Sequence, residues 1–247
     1  MTLSPVLAIA ALCGLTLGSF CATYAVRTAR AEQALTGRSR CDHCGQTLDM
    51  VDTLPVAGFL IRRGKCRQCG AKIDLLHLVG ELGGAVILTM ALVIAPPFRA
   101  SLLAILALSL LTGALIDLRT QRLPDLLTLI VALCGLGLAV ETGGDAVLQG
   151  FAAAVLSGIF LLGIRWTGRY LGRPQAMGLG DIKLISALSL WLGIAIPWML
   201  ALASILGLVA IAFKRPTDGR IAFGPCLAIS AMVVGAAMEA HLPGLAS

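Results

Sequence analysis

Long apolar runs recur from one end of this chain to the other, at about 5–26, 78–95, 100–117, 125–141, 146–165, 182–196, 197–213 and 221–240. Lipid offers a backbone amide no hydrogen-bond partner, so such runs must fold as helices that satisfy their own N–H and C=O groups. About 17 to 25 apolar residues suffice to cross a bilayer. The pattern predicts an all-α polytopic membrane protein with about eight transmembrane helices. Only Ile196-Pro197 separates the sixth run from the seventh. A composition 58% hydrophobic and 13% charged, with mean hydropathy +0.92, excludes a soluble globular fold. The first run has no basic stretch ahead of it and no convincing Ala-x-Ala cleavage site followed by a soluble domain, and reads as a retained span.

Basic residues predict the orientation. Eighteen of the nineteen Lys and Arg fall in alternate connecting segments. Nine lie from Arg27 to Lys72, followed by Arg119 and Arg122, then Arg165, Arg169, Arg173 and Lys183, and last Lys214, Arg215 and Arg220. Only Arg99 falls on the other side. Lys and Arg near span ends stay in the cytoplasm, so both termini are expected outward and the four basic loops inward. Topology and anionic lipid headgroups account for the net charge of +6 without a nucleic-acid partner.

The chain divides by composition into a first span (1–26), a polar loop (27–76) and a membrane-embedded remainder (77–247). Within the loop, Cys41-Asp-His-Cys44 and Cys66-Arg-Gln-Cys69 form two C-x-x-C pairs, each followed by glycine (Gly45, Gly70) and separated by 21 residues. Two such knuckles place four thiolates tetrahedrally around Zn2+, the glycine turning the chain beneath the metal. A reducing cytoplasm disfavours disulfides, and Lys65, Arg67 and Lys72 favour thiolates. A loop this short has little core, so a structural metal would supply its folding energy. Ordinary reduced thiols or a redox pair are the alternatives. His43 reads as a bystander, and Cys13, Cys21, Cys134 and Cys226 as packing residues in spans.

Two acids stand out at span ends on the expected cytoplasmic face. Asp117 closes the third run, and Asp181 opens the sixth within Met177-Gly-Leu-Gly-Asp-Ile-Lys183. Ionisable groups at membrane depth are costly and are kept for function. Paired carboxylates share a proton and activate water, which is aspartic-protease chemistry. Blander roles stand beside this one. Asp117 could be solvated or paired with Arg119 or Arg122, and Asp181 could cap a helix. Asp125, after Pro124, suits a helix start. Gly178 and Gly180 allow close backbone approach or positive φ. Lys183 balances charge, contacts substrate or sets topology. Glu81 serves a substrate or cofactor site, or snorkels to the interface. Gly14, Gly18 and Ser19 read as helix packing.

These motifs together resemble the prepilin peptidases, or type IV leader peptidases, of type IV pilus and type II secretion systems. The resemblance runs through Gly18-Ser19-Phe20 with Arg27, the paired C-x-x-C loop with Pro55, Gly58 and Arg63-Gly-Lys-Cys-Arg67, then Glu81. It continues through Ile116-Asp117 to Leu123-Pro124-Asp125, Gly178-Leu-Gly-Asp-Ile-Lys-Leu184 and Ile221-Ala-Phe-Gly-Pro225. It implies an aspartyl endopeptidase of the bacterial inner membrane that cuts the short basic leader of prepilins and pseudopilins after a glycine. Asp117 and Asp181 are then the catalytic pair, supported by Gly178, Gly180, Lys183, Pro124 and Asp125. It also implies methylation of the new N-terminus with S-adenosylmethionine, with Glu81 a candidate for that site.

The chain departs from the family pattern at Ala22 (asparagine in the family), Asp42 (proline) and Leu76-His77-Leu78 (arginine-tyrosine-proline). These departures lie where the family's methylation function is placed, so the resemblance carries the peptidase further than the methyltransferase. A non-catalytic membrane assembly factor of a pilus or secretion system is the competing reading.

Overall fold

The computed structural model describes residues 3–34, 37–172, 177–213 and 222–241. Arg173, Lys214, Arg215, Arg220 and Ile221, used above for topology or motif, lie outside the described residues. The chain folds as two compact units, Met1–Val93 and Ile94–Ser247.

The first unit is a helical hairpin with a small polar module between its arms: α1 (Leu3–Ala29), a short α2 (Ala57–Ile61) and α3 (Leu75–Ile94). Lipid supplies no hydrophobic drive for helix association, so the two long helices depend on close backbone approach. A Cβ on Gly18 would sit 2.1 Å from the Gly80 carbonyl oxygen, and one on Gly84 would sit 2.2 Å from that of Gly14. Gly14 and Gly18 are thus packing residues, as expected, but Ser19 is more: its hydroxyl donates to Glu81 Oε1 at 2.9 Å.

The second unit is a helical bundle: α4 (Pro97–Thr120), α5 (Asp125–Thr142), α6 (Gly144–Tyr170), α7 (Leu179–Leu192), a 3-10 turn (Gly193–Ala195), α8 (Ile196–Phe213) and α9 (Gly224–Ala240). Six helical stretches among the described residues are long and apolar enough to cross a membrane, with Leu179–Phe213 counted whole and α9 shorter. The protein is a multi-pass membrane protein. The break inside Leu179–Phe213 falls just ahead of Ile196-Pro197. Gly193 takes a φ of 49°, and Pro197 then fits the first turn of α8, where its missing N–H is not needed. At 14 residues α7 is about 21 Å long, too short to span ~30 Å of hydrocarbon alone.

Helices α4 and α7 hold the core of this bundle, burying Leu106, Leu115, Ile116, Ile185 and Leu188, whereas α6 buries only Gly150 and Leu161 along its 27 residues. Each end of the bundle is polar, in a different way. At one end Arg99, 3% exposed, donates to both oxygens of Glu239 (2.6 and 2.9 Å), to Glu141 (3.3 Å), and to the Leu138 carbonyl and Thr142 hydroxyl (3.2 Å each). The Trp191 indole donates to the same Glu239 at 3.2 Å. This network ties the start of α4 to the ends of α5, α7 and α9. It also explains the one basic residue that broke the charge pattern: Arg99 is buried and neutralised, so it does not act as a free topology signal.

Candidate active site and metal centre

The opposite end of the bundle gathers the two aspartates. Asp117 lies in the last turn of α4 and is 5% exposed. The chain leaves α4 through Gln121, in the left-handed region at φ 53°, and its N–H closes onto the Asp117 carbonyl. This sharp exit brings Leu123 back over the bundle, where it fills the space left by two glycines. Cβ atoms on Gly113 and Gly180 would lie 3.4 and 3.2 Å from the Leu123 side chain. Gly180 therefore serves close approach: it seats the first turn of α7 against the turn between α4 and α5. Pro124 then caps α5 from an extended conformation, and Asp125 is its first residue.

Asp181 is the third residue of α7, not its cap; that position belongs to Gly178, at φ −69°. The carboxylate reaches back over the Gly178 backbone, the direction an acid at the third helical position takes in a capping box. A Cβ on Gly178 would lie 2.9 Å from Asp181 Oδ2, so the glycine leaves room for this carboxylate and does not serve a positive φ.

Asp117 is fixed from another helix. The first N–H of α9, from Gly224, donates to Asp117 Oδ2 at 2.8 Å. The two carboxylates lie within Coulombic reach of each other; Asp117 holds the Gly224 N–H, and Asp181 lies against the Gly178 backbone. Lys183 and Asp125 form an exposed pair at 2.7 Å beside them, joining the starts of α5 and α7. Gly224 is the functional group that residue-by-residue reading passed over. Its signal was the Phe-Gly-Pro sequence opening the last run, which looks like helix punctuation until the partner of its amide is seen.

In the first unit, the four cysteine sulfurs of Cys41, Cys44, Cys66 and Cys69 all lie within 4.8 Å of one another. Metal–thiolate bonds of about 2.3 Å in a tetrahedron imply edges of about 3.8 Å, and Cys41 Sγ to Cys69 Sγ is 3.8 Å. The set fits a four-coordinate ion. The two knuckles are built alike. Cys41 N–H bonds Gln46 O and Gly45 N–H bonds Cys41 O; Cys66 N–H bonds Ala71 O and Gly70 N–H bonds Cys66 O. Gly45 and Gly70 adopt φ of 69° and 70°, as the turn beneath a metal requires. Backbone N–H groups of Cys69 and Gln68, then the Cys41 side chain, pull the Cys66 thiol down to about 6. His43 is exposed and stands outside the cluster.

Glu81 does not snorkel. It is 8% exposed, taking Ser19 on one oxygen and the Val56 N–H (2.7 Å) on the other. Val56 precedes α2 with a φ of 58°, so this carboxylate holds the module's strained corner against α1 and α3. Two of the departures from the family pattern meet: His77 Nε2 is 3.8 Å from Asp42 Oδ2, and Arg30 binds the other Asp42 oxygen at 2.8 Å. The His77 ring first, with Arg30, holds the Asp42 carboxyl below its usual range against partial burial. Ala22, the third departure, is fully buried. An open cavity of about 1230 Å³ in this unit is bordered by Ser19, Arg27, Asp52, His77 and Glu81.

An apolar multi-pass bundle with paired aspartates at one end defines a membrane protein with a carboxylate centre. Residues 12–95 match the bacterial peptidase A24 N-terminal domain, and residues 104–212 match the type IV leader peptidase family. The chain is 35% identical to the type 4 prepilin-like proteins leader peptide-processing enzyme of Escherichia coli, over 78% of this chain and 72% of that protein. It is 34% identical to the prepilin leader peptidase/N-methyltransferase of Dickeya chrysanthemi, over 78% and 70%. With the protein of that name from Neisseria gonorrhoeae it shares 33% identity over 79% and 70%. The chain belongs to the type IV leader peptidase family. No solved structure matches it.

Proposed function

We propose that this chain is an aspartyl endopeptidase of the bacterial inner membrane that removes the short leader of prepilin-type substrates at the cytoplasmic face, with Asp117 and Asp181 as its catalytic pair. The observation that carries this reading is a pair of helix-end carboxylates within Coulombic reach of each other, with Asp117 anchored by the Gly224 N–H. An oxygen on each is left for water and substrate. Two carboxylates drawn together around one water resist ionising together, so the pair shares one proton. One carboxylate takes a proton from the attacking water while the other, protonated, donates to the scissile carbonyl. The Gly224 amide anchors Asp117, and the Gly178 backbone lies against Asp181. The Lys183–Asp125 pair holds the starts of α5 and α7 in register.

In this reading the four-cysteine cluster holds structural Zn2+, with Cys41, Cys44, Cys66 and Cys69 as ligands in a cytoplasmic loop and both termini outward. The donor set and its spacing are those of a closed zinc site. The same protein also methylates the new N-terminal amine. In support, its relatives in Dickeya chrysanthemi and Neisseria gonorrhoeae carry N-methyltransferase in their names. The first unit's cavity has room for S-adenosylmethionine, which would supply the methyl group, and Glu81 shapes that cavity by pinning Val56.

The test is leader cleavage of a prepilin-like peptide by lipid-reconstituted protein, with products read by mass. Asp117→Asn and Asp181→Asn are each expected to abolish cleavage at equal insertion. Unchanged cleavage by either variant would refute its assignment, and no cleavage by wild type across several leaders would favour the assembly-factor reading. A methyl-sized gain on adding S-adenosylmethionine tests the second activity.

A further inference from the structure

We infer that Arg165 is a positioning residue for Asp181, acting through the single peptide unit that joins Met177 to Gly178. The inference rests on Asp181 being catalytic. Arg165 lies near the end of α6, and its Nη1 donates to the Met177 carbonyl oxygen. The N–H of that same peptide unit is the Gly178 amide, and the Asp181 carboxylate lies against this residue. The carboxylate lies directly over this amide, since a Cβ on Gly178 would come within 2.9 Å of Oδ2. A cation on the oxygen side of a peptide draws electron density from its N–H, which strengthens the pull of that N–H on a carboxylate beside it. The guanidinium also fixes the plane of the peptide, and with it the direction from which Asp181 is held.

An arginine near a span end has a simpler explanation: it sets topology or complements the helix C-terminus. Arg169 separates the two accounts. It occupies the last turn of the same helix and is exposed, and it carries the same charge. If charge near the membrane edge is all that matters, neutralising either residue has the same effect.

The experiment compares Arg165→Gln, Arg165→Lys, Arg165→Ala and Arg169→Gln in reconstituted full-length protein, at equal insertion, on a leader peptide. Arg165→Gln is expected to lower kcat by about tenfold to a hundredfold with KM little changed, the loss that a displaced reacting group produces. Arg165→Lys, which keeps a charge and a donor, is expected to recover most of kcat, and Arg169→Gln to match wild type. Guanidinium at tens of millimolar is expected to restore part of the Arg165→Ala rate. Arg165→Gln behaving like Arg169→Gln would overturn the inference, as would loss that only tracks insertion with no rescue by lysine or guanidinium. The underlying reading fails separately: in that case Asp181→Asn itself retains cleavage.

Discussion

Replacing Gly224 with alanine puts one methyl group against the candidate catalytic centre. Its Cβ would lie 2.8 Å from Asp117 Oδ2, 3.0 Å from Asp117 Cβ and 3.1 Å from Cγ, where ordinary contact begins at about 3.4 Å. Three atoms of one side chain are struck at once, and two of them are tied closely to the backbone of α4. A rotamer change alone does not relieve the clash, because Asp117 is 5% exposed and α4 is packed along its length. Either the carboxylate retreats by several tenths of an ångström or α9 moves outward. Both stretch the 2.8 Å bond from the Gly224 amide.

Overpacking of this kind costs about 1–3 kcal/mol, which an inserted bundle survives. Displacing a reacting group by about 1 Å costs on the order of a hundredfold in rate. A shift of several tenths of an ångström therefore predicts a kcat lowered by roughly tenfold, with KM and insertion near wild type, in the reconstituted leader-cleavage assay. Gly163→Ala is the control, since a Cβ there meets nothing within 4 Å. Wild-type kcat in Gly224→Ala would refute the idea that this amide sets the position of Asp117. Equal loss in Gly163→Ala would show that the assay reports general damage.

Arg99→Ala leaves Glu239 buried without its cation and is expected to destabilise the second unit by about 3–5 kcal/mol. A combined Arg99→Leu, Glu239→Leu variant should recover much of that in unfolding titrations in micelles; no recovery would argue against the pair. Removing the metal by chelation, or making Cys66→Ser, should raise hydrogen exchange across residues 41–70 while protection in α4 and α7 is retained, with one zinc per chain measured before treatment. Glu81→Ala releases the Val56 amide and the Ser19 hydroxyl, and should increase exchange at residues 52–58 without changing leader cleavage. Unchanged exchange there would mean that the corner at Val56 holds without its carboxylate.

The helices were legible because their signal is repetitive: each apolar run must satisfy its own backbone, and charge marks where it stops. The knuckles were legible because metal geometry restricts both residue type and spacing. Asp117 and Asp181 stood out as acids where acids are costly. What stayed hidden are contacts between segments far apart in sequence. The Arg99–Glu239 pair joins residues 140 apart, and neither residue has a motif around it. Gly224 acts through its amide, which every residue but proline carries, so nothing in its identity reveals an acceptor. Glu81 looked free to reach solvent because its partners, Ser19 and the Val56 amide, come from two other elements.

The departures from the family pattern in the first unit bear on methylation differently once their positions are known. Read along the chain, Asp42 and His77 are independent losses, a proline and a tyrosine each replaced. In the fold they face each other, with Arg30 on the far side of Asp42. An acid alone at position 42, half-sheltered beside the knuckle, would keep Arg30 but lose the His77 ring, and a histidine alone would lack its acceptor. Together they satisfy each other, so they are one coupled exchange, of the kind whose effects do not add. That exchange ties the first knuckle to the start of α3, and it leaves Glu81 with both of its partners. The fold itself requires those partners, since a buried carboxylate is costly wherever they are lost. On this argument Asp42→Pro with His77→Tyr should be tolerated as a pair and each alone should loosen the module; equal tolerance of the single variants in hydrogen exchange would show that the two positions are not coupled.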